Sequence, residues 1–417
     1  MGNRKLGLWL VGAQGGVATT VAVGLAALRH KLCRSWGLVS ELPPFAQLDL
    51  AAWDQIVLGG HEIRQTSSLA EARQMLATNR VFEPSLLDSV ADDLRDVDQR
   101  VRPGALYRSG AAIESLASAR FAKSFFTPRQ AIAAIQHDLA EFMANGRLER
   151  VIVINLASTE PAIIPDSLPR AWEALDRMLD SADCPLPASS LYAIAALESG
   201  MGYVNFTPSV GSDLTALDEL ALLRRVGHMG RDGKTGETLL KSVLAPMFAA
   251  RNLEVMSWVG HNIIGNLDGK ILDDPLNKQS KVASKDHLLK QILAYDPQTL
   301  VTIEYIRSLG DWKTAWDHIH FRGFLATPMT LQFTWQGCDS LLAAPLVLDL
   351  FRFAELAARR GAVGTMPWLA CFFKSPMSVG EHSFAAQFQM LLDWAAKPTG
   401  AESTAGSASC SANRREY

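Results

Sequence analysis

An α/β fold is what this sequence predicts: a doubly wound parallel sheet carrying an inserted α+β domain. Three observations predict it. An apolar run, a glycine-rich turn and an apolar helix open the chain between Leu6 and Leu28. Strand-like and helical stretches then alternate, which is the pattern of a parallel sheet covered by helices. From about Leu239 the pattern changes to alternating apolar and polar residues, as in a sheet with one buried face.

The elements follow in order. Leu6-Gly7-Leu8-Trp9-Leu10-Val11 is a short apolar run ending in glycine and reads as a buried strand. Gly12-Ala13-Gln14-Gly15-Gly16 is a turn, and Val17 to Leu28 reads as an apolar helix. Strand, glycine-rich turn and helix form the opening unit of a dinucleotide-binding fold, in which backbone N–H groups meet a pyrophosphate at a helix N-terminus. Thr19 and Thr20 offer hydroxyl donors. Gln14 occupies the second glycine position of the usual G-x-G-x-x-G, so a plain packing turn fits the same residues. Gln55 to Gly60 is a second strand, followed by His61-Glu62. A carboxylate there normally binds the adenosine ribose, but it arrives about fifty positions after the first turn instead of about twenty. An insertion must intervene, and a helix-capping Glu62 is the other reading. Further strands are expected at Val151–Asn155 and Leu191–Ala195, with helices over Pro128–Asn145 and Asp166–Leu179. Asn155–Glu160 and Asn205–Ser209 lie just past strand ends, where such sheets bind ligands. Beyond Leu239, strands are expected at Val255–Val259, Leu300–Tyr305 and Thr330–Trp335, then a long helix over Ser340–Arg360.

The 417 residues suffice for two domains or one large domain with an insertion, and 48% apolar content supplies an ordinary core. A net charge of -3 gives no basic field, which argues against nucleic acid as a partner. Cys33, Cys184, Cys338, Cys371 and Cys410 form no CxxC pair, which suggests reduced thiols and a cytoplasmic protein. Glycines break the apolar start, so it is not read as a signal peptide, and no stretch approaches the roughly 18 apolar residues of a membrane span. Residues 397–417 read as a disordered tail.

The chemistry concentrates in a few places. Gly265-Asn266-Leu267-Asp268-Gly269 precedes Ser280-Lys281-Val282-Ala283-Ser284-Lys285-Asp286. On a helix, Lys281 and Lys285 share a face with Cβ atoms about 5–6 Å apart, and their repulsion calls for an anion. Lys313 follows Gly310-Asp311-Trp312, and Lys374 follows Cys371-Phe372-Phe373. A lysine buried at the end of an apolar run has a lowered pKa, which suits proton transfer. Any one of them also reads as a snorkelling surface lysine. Asp232 fits a turn, and Asp339 fits an N-cap for the following helix. His318 and His320 have strand spacing for two metal ligands but no third ligand nearby, so they read as structural. There is no G-x-S-x-G elbow and no Cys/His nucleophile pair.

The chain resembles the myo-inositol-1-phosphate synthase family, most of all its short archaeal-type branch, along nearly its whole length. The resemblance rests on Gly37-Leu38-Val39-Ser40-Glu41-Leu42-Pro43, Gly60-His61-Glu62-Ile63-Arg64, Ala157-Ser158-Thr159-Glu160-Pro161 and Asn205-Phe206-Thr207-Pro208-Ser209. It continues through Asp232-Gly233-Lys234-Thr235-Gly236-Glu237-Thr238, the two lysine-bearing segments above, Ala343–Asp349 and Phe372–Met377. The resemblance implies a Rossmann-like NAD domain and conversion of D-glucose 6-phosphate to 1L-myo-inositol 1-phosphate, with NAD used and regenerated. C5 is oxidised, C6 loses a proton, the chain closes on C1 in an aldol step, and the ring ketone is reduced.

By matching positions, the resemblance implies Lys281 as proton shuttle, Lys374 at the C5 oxygen, Lys313 at the aldehyde oxygen and Lys285 at substrate oxygens or phosphate. Asp232 and Asp339 would orient the lysines. Gly12, Gln14, Gly15, Gly16, Val17, Thr19, Glu62, Ala157, Ser158, Thr159 and Asp232 are implied to hold NAD. Thr235, Gly236, Thr238, Asn266, Asp268 and Lys285 are implied to hold the substrate. Asp268 is also implied as a ligand for a divalent cation (Mg, Mn or Zn). Residues 1–238 would form the NAD domain, 239–342 an inserted catalytic and oligomerisation domain, and 343–396 a return to the NAD domain. A cytoplasmic homotetramer feeding inositol and phospholipid biosynthesis, with a sugar phosphate as partner and no membrane or nucleic acid, completes the expectation. Leu267 and Trp312 depart from the family's common residues. They would favour the alternative of a related cyclase with another product, whereas the intact lysines argue against a silent NAD-binding oligomer.

Overall fold

The computed structural model describes residues 4–164, 168–266, 269 and 289–397. The chain starts with β1 (Leu6–Val11), in which every residue is buried, and α1 (Gly16–Arg29). β2 (Ile56–Glu62), α2 (Ser68–Asn79), α3 (Pro84–Ser89), α4 (Ala91–Asp98), β3 (Val101–Leu106), α5 (Ala111–Glu114) and β4 (Ala122–Ser124) complete the first half of the sheet. α6 (Pro128–Gly146), β5 (Arg150–Asn155), α7 (Trp172–Met178), α8 (Ala188–Glu198), β6 (Gly202–Asn205), α9 (Thr215–Arg224) and β7 (Gly227–Gly230) build the second. The strand order is β12-β7-β6-β5-β1-β2-β3-β4, where β12 is Gly364–Thr365, and every pairing is parallel. Strand order reverses direction between β1 and β5. That is the switch point where an open parallel sheet leaves a crevice at its carboxyl edge.

A second sheet follows α10 (Gly236–Ala250). It has four strands, β8 (Glu254–Ile264), β9 (Gln298–Tyr305), β10 (Trp312–Arg322) and β11 (Pro328–Cys338), in the order β11-β10-β8-β9. The chain then returns to the first sheet through α11 (Asp339–Arg359) and ends its described part with α12 (Phe384–Ala395).

Two apolar cores cover the two faces of the large sheet. One joins Leu8, Leu10, Val21 and Leu25 to Val347, Phe351 and Phe353 of α11. The other joins Trp9, Val151 and Val153 to Ile132, Leu139 and Leu191. Each such side chain, fully buried, contributes about 1.5–3 kcal/mol. A third core, with Phe248, Trp258 and Ile319, seats the small sheet on α10.

Three expectations need correction. Leu191–Ala195 is not a strand but the middle of α8, all of it buried. An apolar run buried on every side has no periodicity to separate helix from strand, and Pro187 with four alanines favours the helix. Of the helix expected over Asp166–Leu179, residues 166 and 167 lie outside the described residues, and among the described ones it spans only α7, Trp172–Met178. Asp339 is the first residue of α11 rather than its cap, with Cys338 in the capping position. His318 and His320 lie on β10, whose pairing with β8 and β11 accounts for them structurally.

The insertion before Glu62 also has a physical account. Residues 30–55 form short 3-10 turns, and α11 anchors them. Asp349 Oδ2 accepts from Val39 N at 2.7 Å and Oδ1 from Ser40 N at 3.0 Å. Arg352 donates to Glu41 at 2.6 Å and to Ala51 O at 3.0 Å. The matched segments Gly37–Pro43 and Ala343–Asp349 are therefore one packed unit. Among the described residues, no helix is long and apolar enough to cross a membrane.

Candidate active site

The crevice has two connected compartments. Gly15, Arg64, Leu156, Ala157 and Ser158 line both. The first has a volume of about 740 Å³ and lies between the β1–α1 turn and the ends of β2 and β3. Gly12 sits at φ +81°, and a Cβ there would come within 3.1 Å of Ala157 Cα. Only glycine lets the loop after β5 close on this turn. Glu62, at the carboxyl end of β2, is almost fully buried. It accepts hydrogen bonds from Gln14 N at 3.1 Å, Ile63 N at 2.9 Å and Arg64 N at 3.1 Å. Ile63, Leu106, Ile113 and Leu116 give this compartment apolar walls. Glu160 also lines it, and burial pushes its pKa up to about 7. Ser189 N donates to it at 2.9 Å from the first turn of α8, which opposes that shift.

His61 serves the fold. Trp9 Nε1 donates to its Nδ1 at 2.9 Å, so Nε2 carries the proton toward Asp138 Oδ2 at 3.1 Å. Burial pushes the His61 pKa down, so the ring is held neutral.

The second compartment is an open cleft of about 2090 Å³ between the two sheets. The loop after β7 runs antiparallel to Phe372–Met377. Lys234 N donates to Phe372 O at 2.8 Å, Lys374 N to Asp232 O at 2.7 Å and Arg231 N to Ser375 O at 2.9 Å. A Cβ on Gly233 would sit 2.1 Å from the Phe206 ring, so this crossing requires glycine. The pairing presents Lys374 Nζ to Asp232 Oδ1 at 2.7 Å, both side chains nearly buried. From the other wall, Lys313 at the start of β10 reaches Asp339 at 3.8 Å.

Asp311 joins these parts, and no spacing in the sequence revealed it. Its Oδ2 accepts from Ser340 N and Cys338 Sγ, each at 2.9 Å, and its Oδ1 from Asn266 Nδ2 at 2.8 Å. Asp311 N donates to Asn79 Oδ1 at 3.2 Å. One residue thus fixes the ends of β8, β10, α11 and α2 around the cleft, the first three through its carboxylate and its own backbone and α2 through its N–H. Burial, then the neighbouring charge of Asp339, raises its pKa.

Lys234 was also missed as an energetic feature. It is buried behind the cleft wall, with Nζ bonded to Gln387 of α12. Burial lowers its pKa to about 8 from an ordinary 10.5. The unfolded chain therefore binds more protons than the native one between these values, and stability rises with pH across that window. At pH 7 the burden is on the order of 3 kcal/mol. Lys234→Met is expected to gain relative to wild type at pH 7 and to lose that advantage by pH 10. Urea unfolding of both proteins across this range checks it. A stability difference that does not vary with pH would refute the account.

Of the residues expected at the site, Gly15, Gly16, Val17, Ala157, Ser158, Thr159, Asp232, Thr235, Asn266, Lys313, Asp339 and Lys374 line the cleft, and Gly12 and Glu62 line the first compartment. Others stand apart from these walls. Gln14 turns its side chain to Asp98 at 2.7 Å. Thr19 is fully buried on α1, and Thr20 back-bonds to Gly16 O at 2.8 Å. Gly236 and Thr238 are buried in the first turn of α10, outside the residues lining either compartment. Asp268, Lys281 and Lys285, and the departure Leu267, lie outside the described residues. Among the described residues, the one His/Asp/Glu group tight enough for a metal is His137, Asp138 and Glu141, and none of these lines the crevice.

The sequence model of the myo-inositol-1-phosphate synthase family matches residues 6–395. The chain is 33% identical over 398 residues to inositol-3-phosphate synthase 1 of Bacteroides thetaiotaomicron, covering 91% of each protein. The chain belongs to the myo-inositol-1-phosphate synthase family. A second relative, the inositol-3-phosphate synthase of Dictyostelium discoideum, is 26% identical over 395 residues, 85% of this chain and 75% of that protein. The crystal structure of inositol-3-phosphate synthase from Caenorhabditis elegans shares the fold with a TM-score of 0.85 at 23% identity, covering 94% of this chain and 85% of that one. A myo-inositol-1-phosphate synthase-related protein from Thermotoga maritima does so with a TM-score of 0.76 at 22% identity, over 94% and 98%.

Trp312, expected above to depart from the family's common residues, has a visible task. Its Nε1 donates to Asn79 O at 2.9 Å, tying the start of β10 to the end of α2. It does not line the cleft.

Proposed function

We propose that this chain is an NAD-dependent inositol-3-phosphate synthase, EC 5.5.1.4. It converts D-glucose 6-phosphate to 1L-myo-inositol 1-phosphate by oxidation at C5, enolisation, intramolecular aldol closure and reduction. One observation carries the reading beyond family membership: two lysine–carboxylate pairs, Lys374–Asp232 and Lys313–Asp339, face a single cleft that shares walls with the compartment at the β1–α1 turn. The glycine turn at Gly12 and the buried Glu62 fit NAD, with Gly15, Gly16 and Ala157–Thr159 beside it. NAD bound there supplies a reversible hydride acceptor for the sugar.

The chain's own residues supply the rest. Lys374 stabilises the oxygen at C5, and Asp232 holds its amine in place. Lys313, steadied by Asp339, stabilises the aldehyde oxygen as the ring closes. A buried cation is worth far more to a developing oxyanion than one in water. Thr235 and the N-terminus of α10 receive the phosphate, a ready anion site, and Asn266 orients the sugar. Family resemblance adds Lys281 as proton shuttle, Lys285 at the phosphate and Asp268 at a divalent cation. The division into residues 1–238, 239–342 and 343–396 is part of the same proposal. So is a cytoplasmic homotetramer built on the open face of the small sheet, where Trp316 and Leu300 are 44% and 50% exposed. Light scattering at the mass of a monomer would remove the tetramer.

Purified protein with NAD is expected to convert glucose 6-phosphate to an inositol phosphate, identified by NMR, with no net NADH. Absence of product with several divalent cations, despite bound NAD, would overturn the proposal.

A further inference from the structure

Arg64 is, among the described residues, the one charged side chain lining both compartments. Its donors are already distributed. Nε and Nη2 each reach Glu62 at 3.3 Å, Nη1 reaches Glu71 at 3.3 Å, and Nη2 donates to Gln14 O at 2.6 Å. Glu71 Oε1 also accepts from Thr66 Oγ1 at 2.8 Å. Glu71 stands in the first turn of α2, where the helix N-terminus favours its charge. One guanidinium therefore serves two carboxylates, and the locality is net negative. Asp98, bonded to Gln14 Nε2 and Ser68 Oγ at 2.7 Å each, adds a further negative charge behind the turn.

This arrangement bears on which dinucleotide enters. The adenosine ribose of NAD offers a neutral 2′-hydroxyl to a carboxylate, whereas NADP carries a phosphate there and needs a nearby arginine. An arginine is present, but each of its three nitrogens already faces a carboxylate. We infer that Glu71, together with Glu62, makes this chain select NAD over NADP by clamping Arg64, on the reading that the compartment at Glu62 takes the adenosine of the cofactor. A ribose hydroxyl can replace one of the long 3.3 Å contacts on Glu62. A 2′-phosphate there meets the Glu62 carboxylate and a cation that Glu71 holds from the cleft side. Glu71 is thus a specificity-determining residue that acts through Arg64.

Calorimetric titration of the full chain with NAD and with NADP tests this without turnover. Glu71→Gln keeps the acceptor for Thr66 and removes one carboxylate from the clamp. It is expected to lower the preference for NAD over NADP about tenfold, and Glu62→Gln/Glu71→Gln to lower it further. Adding Arg64→Gln to Glu71→Gln is expected to restore the preference, which a merely structural role for Glu71 would not produce. An unchanged ratio in both the single and the double carboxylate variants, with NAD still bound by wild type, overturns the inference. Failure of wild type to bind NAD overturns the cofactor reading itself, a distinct result.

Discussion

Lys374→Ala is expected to lower kcat about a thousandfold or more while NAD still binds, because it removes the cation that stabilises the developing oxyanion at C5. The amine lies 2.7 Å from Asp232 in a site where both side chains are about 5–6% exposed. Removing it also leaves Asp232 buried without this partner, which typically costs about 3–5 kcal/mol. Two effects are therefore superimposed, and the double variant Lys374→Met/Asp232→Asn separates them. Neutralising both partners is expected to recover most of the thermal stability and none of the turnover. Recovery of turnover along with stability would reduce Lys374 to a structural counter-ion.

Gly12→Val is expected to weaken NAD binding about a hundredfold or more. At φ +81° a β-branched residue is strained by about 1–3 kcal/mol, and its Cβ would press on Ala157 Cα and N at 3.1 and 3.2 Å. The turn relaxes by moving off the loop after β5, and NAD binding requires the unrelaxed turn. Strain plus displaced contact amounts to roughly 3 kcal/mol, or about two decades in Kd. Calorimetry with NAD measures it, and binding within threefold of wild type would show that the turn does not cradle the cofactor.

What the sequence disclosed was mainly local. Leu6–Val11, the glycine turn and α1 are contiguous, so their pattern is readable in one window. Pro128–Gly146 was legible for the same reason, with Thr127 capping Gln130 N and proline at the start. Leu191–Ala195 was misread as a strand because full burial erases the periodicity that separates a helix from a strand. The pairing of Lys374 with Asp232 spans 142 positions, and no local pattern encodes it. Only resemblance placed those residues in one site. Gln14 shows the reverse limit: its place in a cofactor turn was visible, but its side-chain bond to Asp98 came from folding. Asp311 and Lys234 escaped notice because their importance lies in burial. A buried carboxylate and a surface one read alike in sequence.

In the proposed reaction the sugar is oxidised and reduced at the same carbon within one turnover. Glucose 6-phosphate labelled with deuterium at C5 tests it most directly, with NAD and the full chain in ordinary water. Retention of the label at that carbon of the inositol phosphate, with no NADH left over, is the predicted result. Loss of the label to solvent, or NADH formed in proportion to a ketonic product, would contradict it.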